Sequence, residues 1–265
     1  MNYLKKSLGQ NFLIDKNIVK KISNLIDIKD KNILEIGPGK GFLTDQILSK
    51  KPKSLIIVEK DNLLSKYLKQ KYEKNRLVTI YNNDILKFDL DKKLKRNTII
   101  FGNLPYNISS QILVKVIRLK ANIKRYSALI FMFQKELADR IVGEFGTSNY
   151  GRLSILVSYK LNIIKKFNVS PNCFFPKPKV NSSVLYLKPH NLTNYKIKNI
   201  QNLEKITNIL FSNQRKMINK GIKKIFDKEK KIKLIKNLDL NSRPSELNPD
   251  KYYEITEIFE KFLKN

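Results

Sequence analysis

From Asn32 to about Gln134, short runs of apolar, mostly β-branched residues alternate with stretches in which apolar positions recur every three or four residues. The first pattern predicts strands buried on both faces, and the second predicts amphipathic helices laid against them. Strands are predicted at 32–36, 54–58, 77–81, 98–102 and 128–133, and helices at 42–49, 63–72 and 110–119. Strand and helix in regular turn imply a parallel sheet wound with helices, an α/β fold. After Leu153 the pattern changes to a helix. Predicted strands at 163–169 and 183–187 then flank a loop carrying Pro171, Pro176 and Pro178, and close the sheet as a hairpin-like edge. Lys188-Pro189-His190-Asn191-Leu192-Thr193-Asn194 reads as a linker, and everything beyond it is helical in pattern and rich in lysine. That places a boundary between a domain of residues 1–189 and a small all-α domain of residues 190–265.

Composition narrows the class. At 265 residues and 42% hydrophobic content the chain can bury a sizeable core. No apolar run reaches the roughly 18 residues a membrane span requires. The start, Met1-Asn2-Tyr3-Leu4-Lys5-Lys6, lacks the apolar centre of a signal peptide, so a cytoplasmic location without membrane contact is expected. One cysteine, Cys173, and one histidine, His190, exclude a disulfide framework and supply no zinc-type cluster; no structural metal is expected. The net charge of +30 points to a polyanionic partner, with nucleic acid ahead of membrane. A general enrichment in Lys, Asn and Ile is the competing source of that charge.

Chemistry enters at the strand ends. Glu35-Ile36-Gly37-Pro38-Gly39-Lys40-Gly41 follows an apolar strand and precedes a helix, where a glycine-rich loop can bring its backbone against a nucleotide-like ligand. The spacing Gly-x-Gly-x-Gly differs from the dinucleotide fingerprint, and no Lys-Ser/Thr pair of a P-loop follows. Glu59 ends the second strand, where a carboxylate can accept hydrogen bonds from both ribose hydroxyls; Asp84 closes the third and can accept from an adenine amino group. A plain turn and solvated strand-end charges are the bland alternatives.

Phe101-Gly102-Asn103-Leu104-Pro105-Tyr106-Asn107-Ile108 follows the fourth strand and is the most specific stretch. An adenine amino nitrogen is a poor nucleophile because its lone pair is delocalised into the ring. Acceptors that hold its two hydrogens out of plane localise that pair. The Asn103 side chain and a backbone carbonyl of Leu104 or Pro105 are such acceptors, Pro105 stiffens the turn, and Tyr106 can stack on the base.

This stretch, placed after such a glycine loop, resembles the family of ribosomal RNA adenine dimethyltransferases, and within it the small-subunit branch. The likeness extends through Gly9-Gln10-Asn11-Phe12-Leu13, Gln134-Lys135-Glu136, Tyr150-Gly151-Arg152-Leu153-Ser154 and Phe174-Phe175-Pro176-Lys177-Pro178-Lys179-Val180. The resemblance implies S-adenosylmethionine as cofactor, held by Asn11, Leu13, Gly37, Glu59, Asp84 and Asn103, with Asn103, Pro105, Tyr106 and Phe174 framing a flipped adenine. It also implies a Rossmann-like methyltransferase fold with a mostly parallel seven-stranded sheet, and a helical RNA-binding C-terminal domain. The implied substrate is small-subunit ribosomal RNA within an assembling subunit, dimethylated at N6 of two adjacent adenosines by a monomeric enzyme. Gln214 departs from the pattern, since relatives often carry arginine there. Rival readings are a large-subunit adenine methyltransferase, an assembly factor that acts mainly by binding, and an NAD-dependent oxidoreductase.

Overall fold

The computed structural model describes residues 11–119, 125–190 and 194–263. Gly9 and Gln10 of the N-terminal motif, and residues 191–193 of the expected linker, lie outside the described residues. The strands are β1 (Phe12–Leu13), β2 (Asn32–Ile36), β3 (Ser54–Glu59), β4 (Val78–Asn82), β5 (Thr98–Asn103), β6 (Tyr126–Gln134), β7 (Leu161–Val169), β8 (Phe174–Phe175) and β9 (Ser182–Pro189). The helices are α1 (Lys16–Ser23), α2 (Phe42–Leu48), α3 (Asn62–Lys71), α4 (Leu90–Lys93), α5 (Ser109–Ile117), α6 (Lys135–Ile141), α7 (Arg152–Lys160), α8 (Ile200–Phe211), α9 (Asn219–Ile225), α10 (Glu229–Ile232) and α11 (Pro249–Phe262).

The chain divides into two compact units, residues 1–138 with 163–189, and residues 139–162 with 190–265. The first carries a seven-stranded sheet in the order β4-β3-β2-β5-β6-β9-β7. Strands β4, β3, β2, β5 and β6 run parallel, and β9 returns antiparallel to β6. This is the mostly parallel seven-stranded α/β sheet that the resemblance implies. β2 and β5 are mostly apolar on both faces, as strands covered on both sides are; Leu34, Ile100 and Phe101 are fully buried. β2 pairs with β3 on one side and β5 on the other, so the strand order reverses there. The carboxyl ends of β2 and β5 therefore flank the crevice where open α/β sheets bind ligands. β6 is longer than the expected 128–133 because its ends find partners, Tyr126 with Thr98 and Gln134 with Ser182.

Two short features escape the periodic pattern. β1 and β8 form a separate two-stranded ladder that pairs Phe12 with Phe175 and Leu13 with Phe174. α1 starts at Asp15, whose carboxylate accepts from the Ile18 N–H at 2.8 Å and so satisfies one free donor of the first turn.

The second unit differs from the expected domain 190–265 in containing residues 139–162. The reason is packing: α7 presents Ile155, Leu156, Val157 and Tyr159 as buried residues and lies against α8 and α11. Tyr252 of α11 is fully buried, stacks on Phe211 of α8 at 5.7 Å between ring centroids, and donates its hydroxyl to the Pro244 carbonyl at 2.6 Å. Glu260 of α11 accepts from the backbone N–H groups of Lys198 and Asn199 at 2.6 and 2.9 Å and from Asn202 Nδ2 at 2.8 Å. It thus secures the entry to α8, whose own N-cap is Asn199.

Candidate active site

The loop between β2 and α2 turns sharply, with φ of 63°, 59° and 83° at Gly37, Gly39 and Gly41. At Gly39 a side chain is excluded twice over. The backbone is left-handed, and an added Cβ would lie 2.6 Å from the Phe12 ring. β1 thereby rests directly on the loop. Beneath it, Glu35 is buried and accepts from Thr44 Oγ1 at 2.6 Å; burial pushes its pKa up to about 8.

Glu59 and Asp84 flank the same cavity but differ in protonation. Glu59 is 6% exposed, and burial raises its pKa to about 7, although the N–H groups of Asp61, Gly39 and Lys60 donate to it and oppose that rise. The Asp61 N–H lies 2.8 Å from Glu59 Oε1. Asp84 is held below the usual carboxylate range, first by the Lys60 ammonium at 2.9 Å and then by the Leu86 N–H at 2.9 Å. The cavity thus offers one carboxylate poised near neutrality and one firmly ionised.

Asn103 ends β5, and its Nδ2 donates to the Asn11 carbonyl at 2.9 Å. With the amide nitrogen fixed on the N-terminal segment, the amide oxygen is the group left to accept from a ligand. Leu104 is 1% exposed and anchors the turn, and the Ile108 N–H closes it on the Pro105 carbonyl at 3.1 Å. The Tyr106 carbonyl accepts from Ser109 Oγ at 3.2 Å, while its phenol lies 2.6 Å from Ser182 Oγ.

Asn11, Leu13, Gly37, Glu59, Asp84, Asn103, Pro105 and Tyr106 all line this one cavity. Phe174 does not. It is 3% exposed and packs in the hydrophobic core with Leu13 and Ile22, while its neighbour Phe175 is 57% exposed. In a two-residue strand successive side chains take opposite faces, and the inward one is Phe174. Phe174 thus supports β1 from the core side, and the base contact that the resemblance implies for it stands as a proposal. Cys173 is half-buried, burial raises its thiol pKa, and its carbonyl accepts from the Ile14 N–H at 2.9 Å. His190 belongs to the second unit, where Nε2 lies 3.0 Å from the Ser158 carbonyl.

Sequence reasoning missed Lys60, Thr44 and Ser182. Lys60 directly follows Glu59 at the strand end, a position that could have flagged it; the other two meet their partners only through the fold. The site suits a nucleoside-bearing sulfonium cofactor, because the loop leaves room for close backbone approach and Glu59 and Asp84 are the acceptors that ribose and adenine require. Among the described residues no group of three or more His, Cys, Asp or Glu side chains is placed to hold a metal ion. Nor is any helix among them long and apolar enough to cross a membrane.

Known proteins match this arrangement along almost the full chain. A protein of Pelagibacter ubique described as ribosomal RNA small subunit methyltransferase A is 48% identical over 257 residues, covering 97% of each chain. One of Mycoplasma mobile with the same description is 40% identical over 94% of this chain and 95% of its own. The crystal structure of a dimethyladenosine transferase from Plasmodium falciparum superposes with a TM-score of 0.77 at 27% identity, covering 94% of this chain and 98% of the other. That of the 23S rRNA methyltransferase ErmE, at 20% identity and a TM-score of 0.67, covers 94% of this chain and all of the other and shares the fold. Residues 1–261 match the family described as ribosomal RNA adenine dimethylase, and the chain belongs to that family.

Proposed function

We propose that this chain uses S-adenosylmethionine to dimethylate N6 of two adjacent adenosines in small-subunit ribosomal RNA. The observation that carries the chemistry is the convergence of Glu59, Asp84, Asn103, Pro105 and Tyr106 on one cavity at the point where the strand order reverses. When bound, S-adenosylmethionine supplies an electrophilic methyl group on a sulfonium. Glu59 would accept the ribose hydroxyls, Asp84 would accept from the adenine amino group, and the backbone around Gly37 would admit the rest at close range. Asn11 and Leu13 close the same side.

At the substrate end, Asn103 Oδ1 and a carbonyl of Leu104 or Pro105 hold the two amino hydrogens of the target adenine. This returns electron density to N6 and aims its lone pair in line with the methyl. Tyr106 stacks on the extruded base and replaces the neighbours it leaves. N6 gains the methyl carbon and gives up one proton to solvent, while the carbon–sulfur bond of the donor breaks and its sulfur leaves with the electron pair as a neutral thioether. No side chain among those lining the cavity needs to act as nucleophile.

The relatives' description as small-subunit methyltransferases supports the small subunit as target, and the charge of +30 suits an RNA partner. We place the reaction in the cytoplasm, on an assembling subunit, with a monomeric enzyme; the helical unit supplies RNA-binding surface. The test is methylation of unmodified small-subunit particles with labelled S-adenosylmethionine, followed by mapping of the modified bases. Two adjacent N6,N6-dimethyladenosines are the expected result. Label in large-subunit RNA alone would overturn the assignment.

A further inference from the structure

Ser182 opens β9 and is fully buried, as is Ser183 beside it. In a strand the two hydroxyls face opposite sides of the sheet. Ser183 Oγ donates to Asn168 Oδ1 on β7 at 2.7 Å, a bond that ties strand to strand. Ser182 Oγ instead lies 2.6 Å from the Tyr106 phenol, 76 residues away in the chain. A buried hydroxyl is costly unless it is hydrogen-bonded, and at a position where packing alone were needed alanine would fit better. Ser182 meets that need through a side chain that lines the cavity.

The topology explains what the bond achieves. Ser182 pairs with Gln134 at the carboxyl end of β6, next to β5, from whose end the Asn103–Tyr106 turn emerges. The Tyr106 backbone is fixed at one end by Ser109 Oγ on its carbonyl and by the Pro105–Ile108 turn. Its ring reaches from β5 past the end of β6, and the phenol is fixed at the far end by β9. A ring held at both ends keeps its long axis in one direction, and because a phenol hydroxyl bonds best in the plane of its ring the bond also favours one χ2; held only by its backbone the ring can turn about χ1 and χ2.

We propose that Ser182 is a positioning residue for methyl transfer, locking the plane of Tyr106 so that a stacked adenine presents N6 in line with the methyl donor. The proposal rests on the stacking role given to Tyr106 above. It deepens that role by adding a residue from the antiparallel end of the sheet.

The experiment compares Ser182→Ala, Tyr106→Phe and the double variant in single-turnover methylation of saturating unmodified small-subunit particles, with Tyr106→Ala as reference. Cofactor affinity is followed by calorimetry and folding by thermal denaturation. Each single variant is expected to lose about tenfold in rate, since misaiming a reacting group is expensive even when binding persists. The double variant should be no slower than either single one, because both remove the same bond. S-adenosylmethionine affinity and the apparent KM for particles should change little, a split that a general packing defect would not give. Tyr106→Phe removes the bond from the half-buried side, so the question stays answerable if Ser182→Ala folds poorly. Normal rates in Ser182→Ala and Tyr106→Phe, with Tyr106→Ala inactive, would overturn the proposal, as would losses that multiply in the double variant. A fully active Tyr106→Ala would instead remove the stacking reading, and the proposal with it.

Discussion

The two units both bury polar side chains, but put them to opposite uses. In the helical unit the buried groups are saturated by the backbone: Glu260 receives two N–H groups and an amide, and the hydroxyls of Tyr150, Tyr252 and Tyr253 donate to the carbonyls of Leu247, Pro244 and Ile155. In the catalytic unit several polar groups instead face a cavity. Glu59 also accepts three backbone N–H groups, but it stands at the wall of a cavity with its pKa raised to about 7, and Asn103 turns only its nitrogen inward. Saturated groups stabilise a fold, whereas groups with spare lone pairs beside a cavity await a ligand. The contrast predicts that substitutions in one unit act on stability and those in the other on chemistry.

The sharpest break in that contrast is Asn103→Ala. It should abolish detectable methyl transfer, a loss of several hundredfold or more, while particle binding by filter retention stays near normal and the melting temperature barely moves. Glu260→Ala is the counterpart. It strands buried donors at the start of α8 and should destabilise the protein by about 2 kcal/mol or more in urea denaturation, with little effect on the rate of the fraction that remains folded.

A smaller effect concerns pH. Glu59 must be ionised to accept two hydroxyl hydrogens, and its pKa lies near 7. Raising the pH from 6 to 8 ionises it and should tighten S-adenosylmethionine binding by about tenfold in calorimetry; Glu59→Gln should bind weakly and lose that dependence. The same raised pKa means that ionising Glu59 opposes folding of the empty protein, so its stabilising contribution is present in acid and fades as pH rises through 7. The smallest change is expected at Lys60. Its side chain is more than half exposed, so Lys60→Met should shift cofactor affinity by less than about threefold at moderate salt.

Much of this was legible in the sequence where a physical period exists. The central strands are buried on both faces, so their apolar runs stand out; glycine spacing and the Asn-Leu-Pro-Tyr order mark chemistry that few other residue types can perform. What escaped detection lacks a period or depends on distant pairing. β1 and β8 are too short for any alternation to register, and nothing local says which of Phe174 and Phe175 turns inward. The grouping of α7 with the C-terminal helices is set by contacts across dozens of residues. Ser182 reads as one serine of an ordinary strand until its partner is located.

The ladder between β1 and β8 has a further consequence, in the order of synthesis. Residues 12–13 lie across the glycine loop and are paired with residues 174–175, while Asn11 secures Asn103. A nascent chain emerging from the ribosome has its glycine loop and its Asn103–Tyr106 turn long before the strand that pins β1 over them. Chains released early, short of Phe174, would therefore carry every motif of the cofactor loop and still lack a closed site. The site is closed only once the chain has been translated through β8.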